Sequence, residues 1–73
     1  MNIGENLKTI RLQQKLTQIE IANKLNISQQ AWSHYEKGDR DINVNLLRKF
    51  CIMFEVSADE ILDIDTPLGR SKI

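Results

Sequence analysis

A run of polar side chains recurs at helical spacing near the middle of the chain: Gln29, Gln30, Ser33 and His34. Each of these side chains can both donate and accept a hydrogen bond. A glutamine amide can pair with the N6 and N7 edge of adenine, a contact that discriminates between bases by about 1 to 3 kcal/mol. Because an ordinary solvated helix face more often carries Glu and Lys, the composition favours base recognition. Simple exposure is the alternative for the two glutamines.

His34 follows Gln30 by one turn and shares its face. Its imidazole could donate to a guanine acceptor or to a phosphate, and protonation would then strengthen binding at lower pH. Plain exposure is again the alternative. No second histidine or cysteine lies at ligand spacing, so we predict no metal, no cofactor and no small-molecule ligand.

These polar side chains must lie on a helix. Capping residues in the sequence predict where that helix and the one before it begin and end. Thr17 and Glu20 are spaced as a capping box, which begins one helix. Asn26 can adopt the left-handed conformation that ends it. Ser28 then caps a second helix, and Gly38 ends it. Two short helices joined by about three residues predict a helix-turn-helix unit.

Apolar residues at helical spacing predict the buried side of this unit: Ile21, Ala22, Leu25, Ile27, Trp32 and Tyr35. Trp32 and Tyr35 could instead stack on bases of a single strand. Their spacing with Ile27 favours the core.

Three further helices are predicted, over residues 2–14, from the cap Asn43 onward, and from Ser57 to about residue 63. Leu47, Phe50, Cys51 and Phe54 form an apolar stripe through the second of these. In four of the five predicted helices an apolar residue precedes the cap and another follows it by about one turn. This consistency predicts an all-α bundle, with a domain over residues 1–64 and a C-terminal tail over 65–73.

The composition sets further limits on the function. Seventy-three residues make one domain without room for a separate catalytic one. The net charge is zero, yet residues 1–40 carry six basic and four acidic side chains, which places the positive half with the helix pair. One cysteine excludes an intramolecular disulfide, and neither a signal peptide nor a membrane-spanning run is visible. We therefore predict a cytoplasmic, nucleoid-associated protein without a membrane partner.

Some apolar residues lie off the main stripe of the fourth helix or in the tail: Leu46, Ile52, Met53, Ile64 and Leu68. A monomer would expose them, and exposed apolar patches often mark partner surfaces. We predict that they form the interface of a two-fold homodimer. The alternative is that they wrap around the first helix.

The chain resembles the phage repressor and Cro-like, or XRE-type, helix-turn-helix domains over residues 3–62. The resemblance is carried by LTQ-x-x-x-A at 16–22, S-x-x-E-x-G at 33–38 and V-S-x-D-E-I-L at 56–62. It implies a compact five-helix, lambda-repressor-like DNA-binding domain whose third helix lies in the major groove of double-stranded DNA. Asn26 and Glu55 depart from the family pattern because they stand where glycine is common. Ile42 stands where proline is common, and Trp32 stands where a smaller aliphatic residue is usual, which could shift the third helix slightly.

The resemblance also implies roles for particular residues. Arg11 and Glu36 match a pair that ties the first helix to the third, although the two could be unrelated surface charges. The residues expected to face bases are Gln29, Gln30, Ser33 and His34. The residues expected to contact phosphates are Thr17, Gln18, Ser28, Lys37 and Arg40.

We therefore predict a sequence-specific transcriptional regulator, a bacterial or phage repressor that binds a palindromic operator as a dimer. The alternative is a protein-interaction module such as the antitoxin of a toxin-antitoxin pair. An enzyme is disfavoured, because His34, Glu36 and Asp39 are expected on different helical faces.

Overall fold

The computed structural model describes residues 3–62, which contain helices and no strand. The helices are α1 (Ile3–Gln13), α2 (Gln18–Leu25), α3 (Gln29–Lys37), α4 (Val44–Phe54) and α5 (Ala58–Leu62). The all-helical prediction is confirmed for this part of the chain. The predicted helix cap at Asn2, the apolar residues Ile64 and Leu68, and the tail over 65–73 lie outside the described residues.

The helix starts are fixed by the predicted caps. Thr17 Oγ1 accepts from the Glu20 amide at 3.1 Å, and the Thr17 amide donates to Glu20 Oε1 at 2.8 Å, which completes the capping box. Hydrogen bonds from the Thr17 backbone amide and from the Thr17 side chain to the Glu20 carboxylate hold the pKa of Glu20 below its usual value. Ser28 and Asn43 cap α3 and α4 in the same way, accepting amides of the first turn. The helices α2, α3 and α4 therefore begin where their caps predict.

Within residues 3–62, four helix ends share one backbone geometry, a residue in the left-handed conformation. These residues are Lys15 (φ 60°), Asn26 (φ 65°), Gly38 (φ 85°) and Glu55 (φ 56°). At each end the amide of the next residue donates to a carbonyl of the last turn, as from Leu16 to Arg11 at 3.2 Å. This is the Schellman pattern, in which glycine is usual. The positions where Asn26 and Glu55 replace glycine do adopt the glycine-like conformation. The same requirement at Lys15 was not predicted.

The core is shared by side chains from α1 through α5. Trp32 is fully buried and stacks on Phe50, with ring centroids 5.6 Å apart and planes 19° from parallel. Ile21, Leu25 and Tyr35 are also buried, as predicted, and Ile27 is partly buried against them. The indole therefore packs inside the domain rather than stacking on bases.

The surplus apolar surface of α4 is smaller than predicted. Leu46 is only 8% exposed and belongs to the core, so its assignment to a dimer interface is corrected. It is buried because α4 packs with more than one stripe against its neighbours. Ile52, at 71%, and Met53, at 37%, remain exposed.

The helices α1 and α3 cross closely at Gly4. A Cβ at this position would lie 2.6 Å from the Tyr35 carbonyl oxygen and closer still to that of Glu36. In the sequence Gly4 only weakens the first helix. In the fold it brings the start of α1 against the last turn of α3.

Candidate nucleic-acid interface

The carboxylate of Glu36, on the buried side of α3, joins three helices. It accepts from Arg11 of α1, through Nε at 2.5 Å and Nη2 at 3.2 Å. It also accepts from Gln18 Nε2 of α2 at 3.0 Å and from the indole Nε1 of Trp32 at 2.5 Å. Arg11 and Glu36 are thus in contact rather than separate surface charges. The side chains of the pair are 8% and 4% exposed.

The charge of Glu36 follows from these contacts. Burial raises the pKa of its carboxyl, but the hydrogen bonds from Arg11, Gln18 and Trp32 lower it by more, and the pKa lies below its usual value. The group is therefore an ionised acceptor at neutral pH. The contacts from Gln18 and Trp32 were not predicted. The spacing of Trp32 and Glu36, four residues apart on one helix, was the available signal for the second of them.

Gln18 links this buried carboxylate to the outer surface. Its Nε2 donates to Glu36, and its Oε1 accepts from Gln29 Nε2 at 3.5 Å. One hydrogen of Gln18 Nε2 is left for another acceptor, since an amide nitrogen has two. Because the carboxylate can only accept, it fixes which end of the Gln18 amide faces inward. The exposed Gln29 amide lies at the outer limit of hydrogen-bonding distance from the oxygen of Gln18.

The outer side of α3 is polar. Gln29 and Gln30 are exposed in its first turn, and Ser33 and His34 are half-buried one turn later. The opposite side of the helix is buried through Trp32 and other core residues. The predicted outward orientation of the two glutamines is therefore observed, at the helix end where the dipole is positive.

The end of α3 brings His34 close to Asp39. His34 Nδ1 lies 3.4 Å from Asp39 Oδ2. The expectation that these residues lie on different faces is wrong for this pair. Gly38 reverses the chain, and the Asp39 amide donates to the His34 carbonyl at 3.1 Å. Glu36 remains on the buried side of α3.

The predicted phosphate-contacting residues surround this polar surface. The hydroxyl oxygens of Thr17 and Ser28 accept backbone amides at the starts of α2 and α3. The Thr17 side chain also hydrogen-bonds the Glu20 carboxylate, whereas the Ser28 hydroxyl keeps its own hydrogen as a donor. Lys37 and Arg40 are exposed at and beyond the end of α3. Within residues 3–62, no group of three or more side chains is arranged to hold a metal ion, and no helix has the length and apolarity to cross a membrane.

Comparison with known proteins identifies the family to which the chain belongs. The model of the helix-turn-helix family matches residues 7–61, and the chain belongs to this family. The match includes the helix pair and the Arg11 and Glu36 contact. The XRE-type assignment made from the sequence is confirmed.

Three relatives are similar over most of the chain. Antitoxin PezA of Streptococcus pneumoniae is 36% identical over 92% of this chain and 42% of its own length. The uncharacterized HTH-type transcriptional regulator YqaE of Bacillus subtilis is 41% identical over 81% of the chain and 51% of its own length. The HTH-type transcriptional regulator ImmR of Bacillus subtilis is 38% identical, over 89% and 51%. The chain thus spans about half, or less, of the length of these proteins.

Proposed function

We propose that this chain binds specific sites in double-stranded DNA and regulates transcription. The observation that carries the proposal is the outward polar side of α3, with Gln29 and Gln30 exposed above a buried aromatic core. A short helix joined to another by a tight turn is the form that enters the major groove in helix-turn-helix proteins. Two of the relatives are named as transcriptional regulators, which supports this class.

Within this proposal α3 lies in the major groove of a compact five-helix, lambda-repressor-like domain. Gln29, Gln30, Ser33 and His34 face base edges. The residues that position the domain on phosphates are Thr17, Gln18, Ser28, Lys37 and Arg40. Phosphate contacts fix the register without reading sequence, and Glu36 holds Gln18 in place for its contact.

The protein acts as a homodimer on a palindromic operator. Ile52 and Met53 of α4 are exposed apolar residues that suit the two-fold interface, together with Ile64 and Leu68 from outside the described residues. Two recognition helices would then lie about 34 Å apart, one turn of DNA. The site of action is the cytoplasm, at the nucleoid, and no catalytic step is required.

Selection of bound sites from a random DNA pool at stated salt tests the proposal. We expect a motif with two-fold symmetry. The affinity should fall steeply with salt, because the basic side chains release counterions from the DNA phosphates when they bind. Absence of any enriched motif, or a salt-independent affinity, would contradict sequence-specific binding.

Two variants separate the assigned roles. Gln30→Ala should weaken binding to the selected site about tenfold and change non-specific binding little, because it removes a base contact. Gln18→Ala should weaken both, because it removes a phosphate contact and releases Gln29. Equal losses for both variants on both DNAs would count against these roles.

A second candidate function is supported by the similarity to an antitoxin. In that case the chain would cover a protein partner, and DNA binding would be secondary. Purification from the native host distinguishes the two. A second small protein that co-purifies in a fixed ratio favours the antitoxin function, whereas a homodimer alone favours the regulator.

A further inference from the structure

The C-terminal end of α3 holds a histidine of the polar side against a carboxylate. The chain reverses at Gly38, which has a φ of 85°, and the next amide donates to the His34 carbonyl at 3.1 Å. This backbone closure carries the Asp39 side chain back over the imidazole. Asp39 Oδ2 then lies 3.4 Å from His34 Nδ1, while 44% of the His34 side chain stays exposed.

This contact decides which ring nitrogen carries the proton. A neutral imidazole has one N–H donor and one bare acceptor nitrogen. An ionised carboxylate can only accept, so it favours the proton on Nδ1. The bare nitrogen is then Nε2. Without Asp39 the ring would be free to place the proton on Nε2 and present a donor there instead.

We infer that Asp39 sets the base specificity of His34 by holding it in the Nδ1–H tautomer, so that Nε2 accepts a hydrogen bond from an exocyclic amino group in the major groove. The bases that offer such a donor are adenine, through N6, and cytosine, through N4. Guanine and the thymine carbonyl present acceptors at the corresponding edge and are disfavoured. This inference rests on the proposed function. It assigns Asp39, which need not touch DNA, as a positioning residue for specificity.

Site selection with three variants tests the inference, with all selections performed at one fixed pH. His34→Ala identifies the base position of the selected motif that His34 reads. That position, called the His34 column below, alone should lose its base preference in this variant. In the wild type this column should favour adenine or cytosine. In Asp39→Ala the preference over guanine and thymine should fall about 3- to 10-fold, the effect of one hydrogen bond.

Asp41→Ala is the matched control, because it removes the same charge from an exposed position of the same loop. It should leave the column unchanged. A column that favours guanine or thymine in the wild type, that does not respond to Asp39→Ala, or that responds equally to Asp41→Ala would overturn the inference. Each of these results still contains a selected motif, so the proposed function would survive. Absence of any motif would instead remove the proposed function itself.

A measurement on the unmodified protein guards against variants that fail to fold. The ¹⁵N shifts of the His34 ring distinguish a protonated from a bare nitrogen in the neutral form. We expect Nδ1 to be protonated and Nε2 to be bare. The opposite assignment would overturn the inference without any substitution.

Discussion

The carboxylate of Glu36 is held by side chains from three helices, and its position explains much of the candidate site. Arg11 supplies two hydrogen bonds from α1, Gln18 supplies one from α2, and the Trp32 indole supplies one from α3. A buried carboxylate with this many donors is ionised and rigid. Its main effect is to fix geometry, because the attraction in a buried pair is largely offset by desolvation.

Removing one partner of the pair should therefore be costly. Arg11→Met leaves a buried carboxylate without its cation, and we expect a loss of about 3 kcal/mol in the free energy of unfolding, measured by urea denaturation. The cycle with Glu36→Met should give a coupling energy above about 1 kcal/mol. Lys8→Met, at an exposed position on the same helix, is the control and should change stability by less than about 0.5 kcal/mol. Additive effects of the two core substitutions would contradict a functional pair.

Stability should also depend on acid. Burial raises the pKa of Glu36, but the hydrogen bonds from its three donors lower it by more, so the pKa lies below its usual value in the folded state. A carboxyl with a depressed folded pKa stabilises the fold fully above its unfolded pKa. That contribution is lost as the pH falls from the unfolded pKa of glutamate, about 4.3, through the folded pKa. Urea midpoints between neutral pH and acid should show this decline, and Glu36→Gln should flatten it. An equally steep decline in that variant would assign the effect to other carboxyls.

At the scale of helices, the residues at the helix ends affect the stability of the fold. A non-glycine residue in the left-handed conformation costs about 1 to 2 kcal/mol, and asparagine tolerates it better than other residues. Lys15, Asn26 and Glu55 all occupy this conformation. Three of the four left-handed helix ends are therefore built with residues other than glycine.

Glu55→Gly should raise the free energy of unfolding by about 1 kcal/mol, because glycine adopts the left-handed conformation without steric strain. It also removes a negative charge from the negative end of the α4 dipole. Asn26→Gly is the matched comparison and should have a smaller effect. Thermal or urea denaturation measures both. A destabilising Glu55→Gly would show that the side chain has a structural role outweighing the strain.

At the crossing of α1 and α3, we expect glycine to be required, so that replacing it destabilises the protein. Gly4→Ala would ordinarily stabilise an exposed helix, but here the added Cβ would overlap the carbonyls of Tyr35 and Glu36. We expect a loss of about 2 kcal/mol, in the range of overpacked sites. Gly38→Ala meets no atom and should lose only the cost of its φ of 85°. Stabilisation by Gly4→Ala would mean that the helices can separate easily.

At the scale of the whole molecule, the proposed dimer depends on apolar residues that the single chain leaves exposed. Ile52→Asp should shift the protein to a monomer in sedimentation experiments and weaken binding to the palindrome, because it places a charge in the interface. Binding to an isolated half-site should change little. Leu12→Asp, at a residue 54% exposed on α1, is the control. Equal effects of both substitutions, or none on association, would place the dimer interface elsewhere.

The sequence by itself determined the local structure. Caps at Thr17, Ser28 and Asn43 and the chain reversal at Gly38 fixed the helices around the turn, because each acts on backbone groups within a few residues. Apolar spacing also assigned Trp32 to the core, since periodicity alone defines one face of a helix.

Only the tertiary structure decided how distant residues meet. It placed Gln18 and Trp32 on one carboxylate, set Gly4 against the carbonyls of α3, and buried Leu46 in the core. These results depend on the angle and distance between helices, which no local pattern specifies. A helix face that is apolar beyond one stripe can pack against a neighbour or remain exposed, and the choice is made only when the neighbouring helices occupy or leave that space.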